Sequence, residues 1–200
     1  DLHSLRRRQR QMCIRDSSYH QLYPRIDVSI RVGNSAQVLA DLENYTTDIA
    51  VLAGLHNDPA LCAVHYARHA IVLFAHHKHP LAQHVSVPLQ ALEGQPMLQR
   101  ERGSTTRSVM ERALSEAGVE PRIAMEIGSR EALREAVVRG IGLGVVSEAE
   151  FIPDPRIRMI RIEGEPLFTE TYLYCLAERR ASRLISSFFD SVQRSGRKGE

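Results

Sequence analysis

The stretch from Pro96 to Val146 admits few folds. Pro96–Gln99 is a short apolar run that reads as a strand, and the polar break Glu101-Arg102-Gly103-Ser104-Thr105-Thr106-Arg107 follows it. Val109, Met110, Ala113, Leu114 and Ala117 then recur at the spacing that lines one face of a helix, and Gly118 stands where a helix end favours a left-handed residue. Ile123–Ile127 reads as a second strand. Gly128-Ser129-Arg130 opens a second helix with Ala132, Leu133, Ala136 and Val137 on one face and Gly140 at its end; Ile141–Val146 is a third strand. Strand, helix, strand, helix, strand with short links predicts a parallel α/β sheet, because parallel neighbours need a crossover and a helix supplies it.

The flanking segments fit an α/β chain. Ile26–Val32 alternates apolar and polar residues, which predicts a strand with one buried face. Gly33-Asn34-Ser35 is a turn and helix start, and Val38, Leu39, Leu42 and Tyr45 recur at helical spacing. Asp48–Leu52 and Ala70–Ala75 read as buried strands, Ala75–Val85 as a loop and Glu170–Leu176 as a further strand. Leu184, Ile185, Phe188, Phe189 and Val192 mark a final amphipathic helix. In 200 residues, 43% hydrophobic content is enough for a core. No apolar run approaches the roughly 20 residues that span a bilayer.

The first seventeen residues, DLHSLRRRQRQMCIRDS, look foreign to the rest. RRQRQMCIRD is what a transposon-based sequencing-library adaptor encodes when read in frame, so residues 1–17 are expected to be adaptor-derived rather than native. Setting them aside removes five Arg and two Asp from 26 basic and 24 acidic residues, and the net charge moves from +2 to −1. The apparent basicity, and with it the hint of a nucleic-acid arm, belongs to that segment.

Three places share one piece of chemistry. Ser104-Thr105-Thr106 and Ser129-Arg130 each follow a strand and precede a helix, and Asn34-Ser35 is a third such helix start. A helix N-terminus offers unpaired N–H groups and the positive end of a dipole, and hydroxyl side chains there either cap the helix or bind an anion. In open α/β sheets these carboxyl-end loops line the ligand crevice. Arg102, Arg107 and Arg130 lie close by in sequence. Other constellations are poorer. Gly140, Gly142 and Gly144 form G-x-G-x-G between a helix and a strand, the reverse of a dinucleotide fingerprint, and close strand packing accounts for them. His65, His69, His76, His77 and His79 do not assemble a zinc set. Cys62 and Cys175 read as small buried hydrophobes. No G-x-S-x-G or H-E-x-x-H occurs, and neither a metal nor a cofactor is expected.

The run RERGSTTRSVMERALSEAGVEPRIAMEIGSREALREAVVRGIGLGVVSE, residues 100–148, resembles the effector-binding domain of LysR-type transcriptional regulators. Tyr23-Pro24, Gly33-Asn34-Ser35, Asp48-Ile49-Ala50-Val51 and His79-Pro80-Leu81-Ala82 match further landmarks of that family in order and spacing, so the resemblance covers the chain from about Tyr19 to the final helix. It implies two Rossmann-like subdomains of the type 2 periplasmic-binding-protein kind, with a small molecule in the cleft and no catalysis. On that pattern residues 18–79 plus 168–200 form subdomain I and 80–167 subdomain II. Subdomain I is expected to be incomplete, lacking its first strand, and the winged helix-turn-helix is expected to lie outside the chain. Carried over residue by residue, the ligand set is Arg102, Gly103, Ser104, Thr105 and Thr106 with Gly128, Ser129 and Arg130, then Asn34 and Ser35 nearer the sheet edge, and Arg68 before a crossing strand. The combination GNS, RERGSTTR, MEIGSREA and LAERR is most similar to a branch associated with phosphonate utilisation. That implies a small anionic effector, a phosphonate or other oxyacid. The family further implies homodimers and homotetramers, DNA contact only through the N-terminal domain, no membrane partner and a cytoplasmic location. The alternatives are a periplasmic solute-binding protein of a transporter and an enzyme on the same two-lobed fold. The enzyme would need a titratable pair facing the cleft, and the sequence does not identify one.

Overall fold

The computed structural model describes Tyr19 and residues 22–196, with side chains through residue 192. The segment read as adaptor lies outside the described residues. The chain divides into two compact units, one built from residues up to Ala67 together with Thr171 onward, the other from Arg68–Glu170.

In the first unit, helix α1 (Ser35–Glu43) leads into strand β1 (Ala50–Ala53). Strand β1 pairs antiparallel with the middle of β8 (Phe168–Leu176), with Ala50 opposite Tyr174 and Ala53 opposite Thr171. Strand β8 in turn neighbours β2 (Leu61–His76). Alternation sends each strand's side chains to two faces. On one face Ala50, Leu52, Leu61, Ala63, Tyr172 and Tyr174 meet Val38, Leu39 and Leu42 of α1. On the other, Cys62, Val64, Leu173 and Cys175 meet Ile185, Phe188, Phe189 and Val192 of helix α4 (Arg183–Gly196). Two sequence expectations fail in this unit. Ile26–Val32 forms no strand: the alternation is present, but among the described residues no neighbouring strand supplies backbone partners, and Val28, Ile30 and Val32 are exposed. Tyr45 does not continue the buried stripe of α1. The helix has ended at Glu43, Tyr45 sits at φ 60°, and its ring is 61% exposed, with the hydroxyl donating to Glu178 at 2.7 Å.

The second unit carries the pattern read between Pro96 and Val146. Strands β4 (Pro96–Arg100) and β5 (Arg122–Ile127) are parallel neighbours joined through helix α2 (Thr105–Ala117). Helix α3 (Arg130–Val138) returns the chain to the other side of β4. There Leu143 bridges Met97 in parallel, just before β6 (Gly144–Ser147). The sheet continues through the second half of β2, antiparallel to β6 and to β7 (Ile157–Ile162), and ends on the two-residue β3 (Ser86–Val87), parallel to β7. The two helices cover opposite faces. Leu73, Ala75, Met97, Leu143 and Ile160 pack with Met110 and Leu114 of α2, while Val72, Phe74, Leu98 and Val146 pack with Leu133, Ala136 and Val137 of α3. The G-x-G-x-G glycines have separate reasons. Gly140 ends α3 at φ 75°. A Cβ on Gly142 would lie 2.6 Å from the Pro96 carbonyl oxygen, and one on Gly144 would run into the Phe74 ring and Val137. Close approach of strands and core is what the last two serve.

Candidate functional site

Because β4 and β5 are adjacent and parallel, with Arg100 opposite Ile127, the loops at their carboxyl ends emerge side by side. A Cβ on Gly128 would stand 4.0 Å from the Glu101 Cβ. So the structure brings residues 101–106 and 128–130 together at one edge of the second unit's sheet, above the N-termini of α2 and α3.

The two helix starts differ. Ser129 is the N-cap of α3: its Oγ accepts the Ala132 N–H at 3.2 Å and donates to Glu131 at 3.1 Å. Its hydroxyl is spent, and Glu131 already places a negative charge in the first turn. Ser104 is the N-cap of α2 by backbone geometry, yet its side chain makes no capping bond. Its backbone is tied down: Ser104 N–H donates to Glu101 O at 3.3 Å, and Ser104 O accepts from Ser108 N–H at 3.1 Å. Only 6% of Ser104 is exposed, and the first turn of α2 has no acidic residue. A hydroxyl that makes no capping bond, beside the positive end of a helix dipole and with no carboxylate on that turn, can donate to an oxyanion. Gly103 reaches this turn at φ 86°, a conformation that a side chain would strain.

The arginines sort by what they already hold. Arg100 forks onto Glu101 through two 2.8 Å bonds. Arg107 donates to Glu111, to Glu126 and to the Arg100 carbonyl, all at 2.7–2.8 Å, and so ties α2 to β4 and β5. Arg130 pairs with Glu150 at 3.1 Å while its Nε is buried with no partner. Arg134, one turn further, pairs with Asp154 at 2.6 Å. Hydrogen bonds from Arg156, with the charge of Arg134 beside them, hold the Asp154 carboxyl well below the usual carboxylate range. That cluster fixes where α3 begins. Arg102 is exposed and makes no ion pair among the described residues, which makes it the available cation of the loop.

The remaining candidates stand elsewhere. Arg68 pairs with Glu170 at 2.9 Å and lies 3.7 Å from the centroid of the Phe168 ring. Asn34, in the first unit, closes a capping box: the Gln37 N–H donates to Asn34 Oδ1 at 3.0 Å, and the Asn34 N–H donates to Gln37 Oε1 at 3.1 Å. Ser35 is the first residue of that helix. Sequence reasoning missed Tyr174, whose buried hydroxyl donates to Gly54 O at 2.8 Å and accepts from His56 N–H at 3.0 Å, pinning the loop that leaves β1. It also missed His56, whose Nε2 is buried without a partner. No local pattern marks either, since both roles depend on β8 lying beside β1.

Hydroxyls and an arginine thus stand at the carboxyl ends of two parallel strands of an α/β fold. The LysR substrate-binding-domain model matches residues 17–197, and the chain belongs to that family. Among curated relatives, the HTH-type transcriptional activator CmpR of Synechocystis is 30% identical over 176 residues, covering 86% of this chain and 58% of the relative. The HTH-type transcriptional regulator CbbR of Xanthobacter flavus is 29% identical over 187 residues, covering 90% and 56%. The chain thus spans a little over half the length of these relatives, whose names are those of transcription regulators. Among solved structures, the Synechocystis CcmR regulatory domain in complex with 2-PG superposes with a TM-score of 0.85 at 24% identity, covering 94% of this chain and 92% of that one. The effector-binding domain of QuiR in complex with shikimate gives 0.84 at 19% identity, covering 94% and 91%. At those identities the likeness establishes the fold: α/β, of the type 2 periplasmic-binding-protein kind.

Proposed function

We propose that this domain senses a small anionic effector, an oxyacid such as a phosphonate, phosphate ester or carboxylate, for a LysR-type regulator that contacts DNA through a separate N-terminal domain. The observation that carries the reading is the hydroxyl of the largely buried Ser104, unused by its own helix, at an α2 N-terminus free of acidic residues. Residues 102–106 supply donors and the charge of Arg102, and residues 128–130 stand beside them past the end of the neighbouring strand. Asn34, Ser35 and Arg68 are secondary candidates, each already holding a structural bond or lying in a helix start. CcmR with 2-PG and QuiR with shikimate, both anionic ligands on this fold, support the chemical class. Binding acts by population shift: the effector favours one conformation of the domain, and the difference in affinity between conformations is what the rest of the regulator reads. The regulator works as a homodimer or homotetramer in the cytoplasm; among the described residues no helix is long and apolar enough to cross a membrane.

Removing a charge-assisted hydrogen bond costs about 1.5–3 kcal/mol, roughly tenfold or more in affinity. Titration calorimetry with 2-PG, shikimate and inorganic phosphate is therefore expected to show Ser104→Ala weakening whichever anion binds by about tenfold or more. Ser129→Ala weakens it too, in part through the loss of the α3 cap. Isotherms unchanged in both variants would remove the site from these loops.

A further inference from the structure

Two thiols face each other in the first unit, away from the loops described above. Strand β8 neighbours β2, and two contacts fix their register. The Ala177 N–H donates to Ala60 O at 2.8 Å, and the rings of His65 and Tyr172 meet at 5.4 Å between centroids. Both pairs run antiparallel in one frame, and in that frame Cys62 lies directly opposite Cys175. Directly opposed residues point to the same face, and both cysteines do: Cys62 packs against the cluster of Leu173, Cys175, Ile185 and Phe189 beneath α4. The Cα separation of such pairs, about 4.5–5.5 Å, falls inside the range a disulfide spans. Both cysteines are free thiols.

We infer that Cys62 and Cys175 are a redox-responsive pair that closes an intrachain disulfide across β2 and β8. Cys62 is the half-buried member and meets the oxidant; Cys175 is fully buried and resolves. With a small-molecule disulfide as oxidant, the Cys62 thiolate attacks one of its sulfurs, forming a mixed disulfide and releasing one thiol. Cys175 then attacks the Cys62 sulfur, forming the protein disulfide and releasing the second thiol. The two protons lost from the cysteines end on the two released thiols, and the two electrons reduce the oxidant's S–S bond. Burial, with Cys62 beside it and against the pull of Arg180 and Arg179, pushes the Cys175 thiol up to about 11, so closure is slow near neutrality and accelerates with the thiolate fraction, about tenfold per pH unit. The bond fixes the pairing of the two strands through which the chain passes between its units. A charge-neutral covalent staple of this kind leaves the anion-binding chemistry of residues 102–106 untouched, so its failure says nothing about the effector reading.

The native protein is incubated with oxidised glutathione at pH 7, 8 and 9, quenched by alkylation and digested with trypsin. The expected result is a reductant-sensitive link between peptides 32–68 and 162–179, which carry Cys62 and Cys175, forming about tenfold faster per pH unit. Cys175→Ser is expected to retain glutathione on Cys62, and Cys62→Ser to leave Cys175 unmodified. A Cys62–glutathione adduct that persists at pH 9 in the unsubstituted protein, or a link that forms only after denaturation, overturns the pair.

Discussion

Phe189→Ala is expected to destabilise the protein by about 3–5 kcal/mol, the cost of removing a fully buried aromatic ring and leaving a cavity. The ring is 0% exposed and packs with Leu173, Cys175 and Ile185 where α4 covers the first unit's sheet. The Arg180 guanidinium lies 4.5 Å from the ring's centroid on the remaining side, so the site is closed by a charged group that cannot fill the space. For a chain of this size the loss corresponds to a fall in Tm of roughly 6–20 °C. Leu184→Ala, on the same helix but 41% exposed, is the control and is expected to stay within about 0.5 kcal/mol. Paired thermal unfolding curves decide it. Equal, small shifts for both substitutions would mean that α4 is not docked as described.

Gly142→Ala probes the second unit and reaches the site through the fold. The new Cβ would stand 2.6 Å from the Pro96 carbonyl oxygen and 3.1 Å from its carbonyl carbon, well inside contact distance. The atoms it meets are backbone, so no side-chain rotation relieves the overlap. Strand β4 must move, and the bonds from Leu143 N–H to Pro96 O and from Leu98 N–H to Leu143 O, both 2.8 Å, must lengthen or break. Overpacking of this kind costs about 1–3 kcal/mol, and more where backbone must shift. Strand β4 also carries residues 101–104 at its end, so the same substitution is expected to weaken anion binding, unlike Phe189→Ala, which lies in the other unit. Thermal unfolding and titration of the two variants separate these effects. Unimpaired stability for Gly142→Ala would show that β4 and the β6 approach are not as tightly joined as the bridge between Met97 and Leu143 requires.

Much of the second unit was legible because its signals are local. A 3.6-residue stripe from Val109 to Ala117, a left-handed glycine at 118 and short apolar strands need no partner to be read. What escaped was set by neighbours. Only the inner end of β2 has a continuous apolar run; its outer half carries His65, Arg68 and His69 and is half-buried, so a sixteen-residue strand looked like six. Ile26–Val32 has a strand's alternation and, among the described residues, no strand beside it. The helix-start hydroxyls were readable as a group, but not which of them is free: serine is favoured at an N-cap whether or not its side chain caps, and Ser104 and Ser129 look alike until the bonds are seen. The same holds for the arginines. The Arg107–Glu111 pair follows from a four-residue spacing, whereas Arg107–Glu126 and Arg130–Glu150 exist only because the sheet brings distant segments together.

The central claim is that an anion binds where β4 and β5 end. Its most direct test is an amide ¹H–¹⁵N titration of the protein with 2-PG, shikimate and inorganic phosphate, with glycerol as the uncharged control. Saturable shifts are expected for at least one anion, concentrated at the backbone N–H groups of residues 102–106 and 128–132, with no such shifts from glycerol. Shifts that are absent from both loops for all three anions, or that glycerol reproduces, would contradict it.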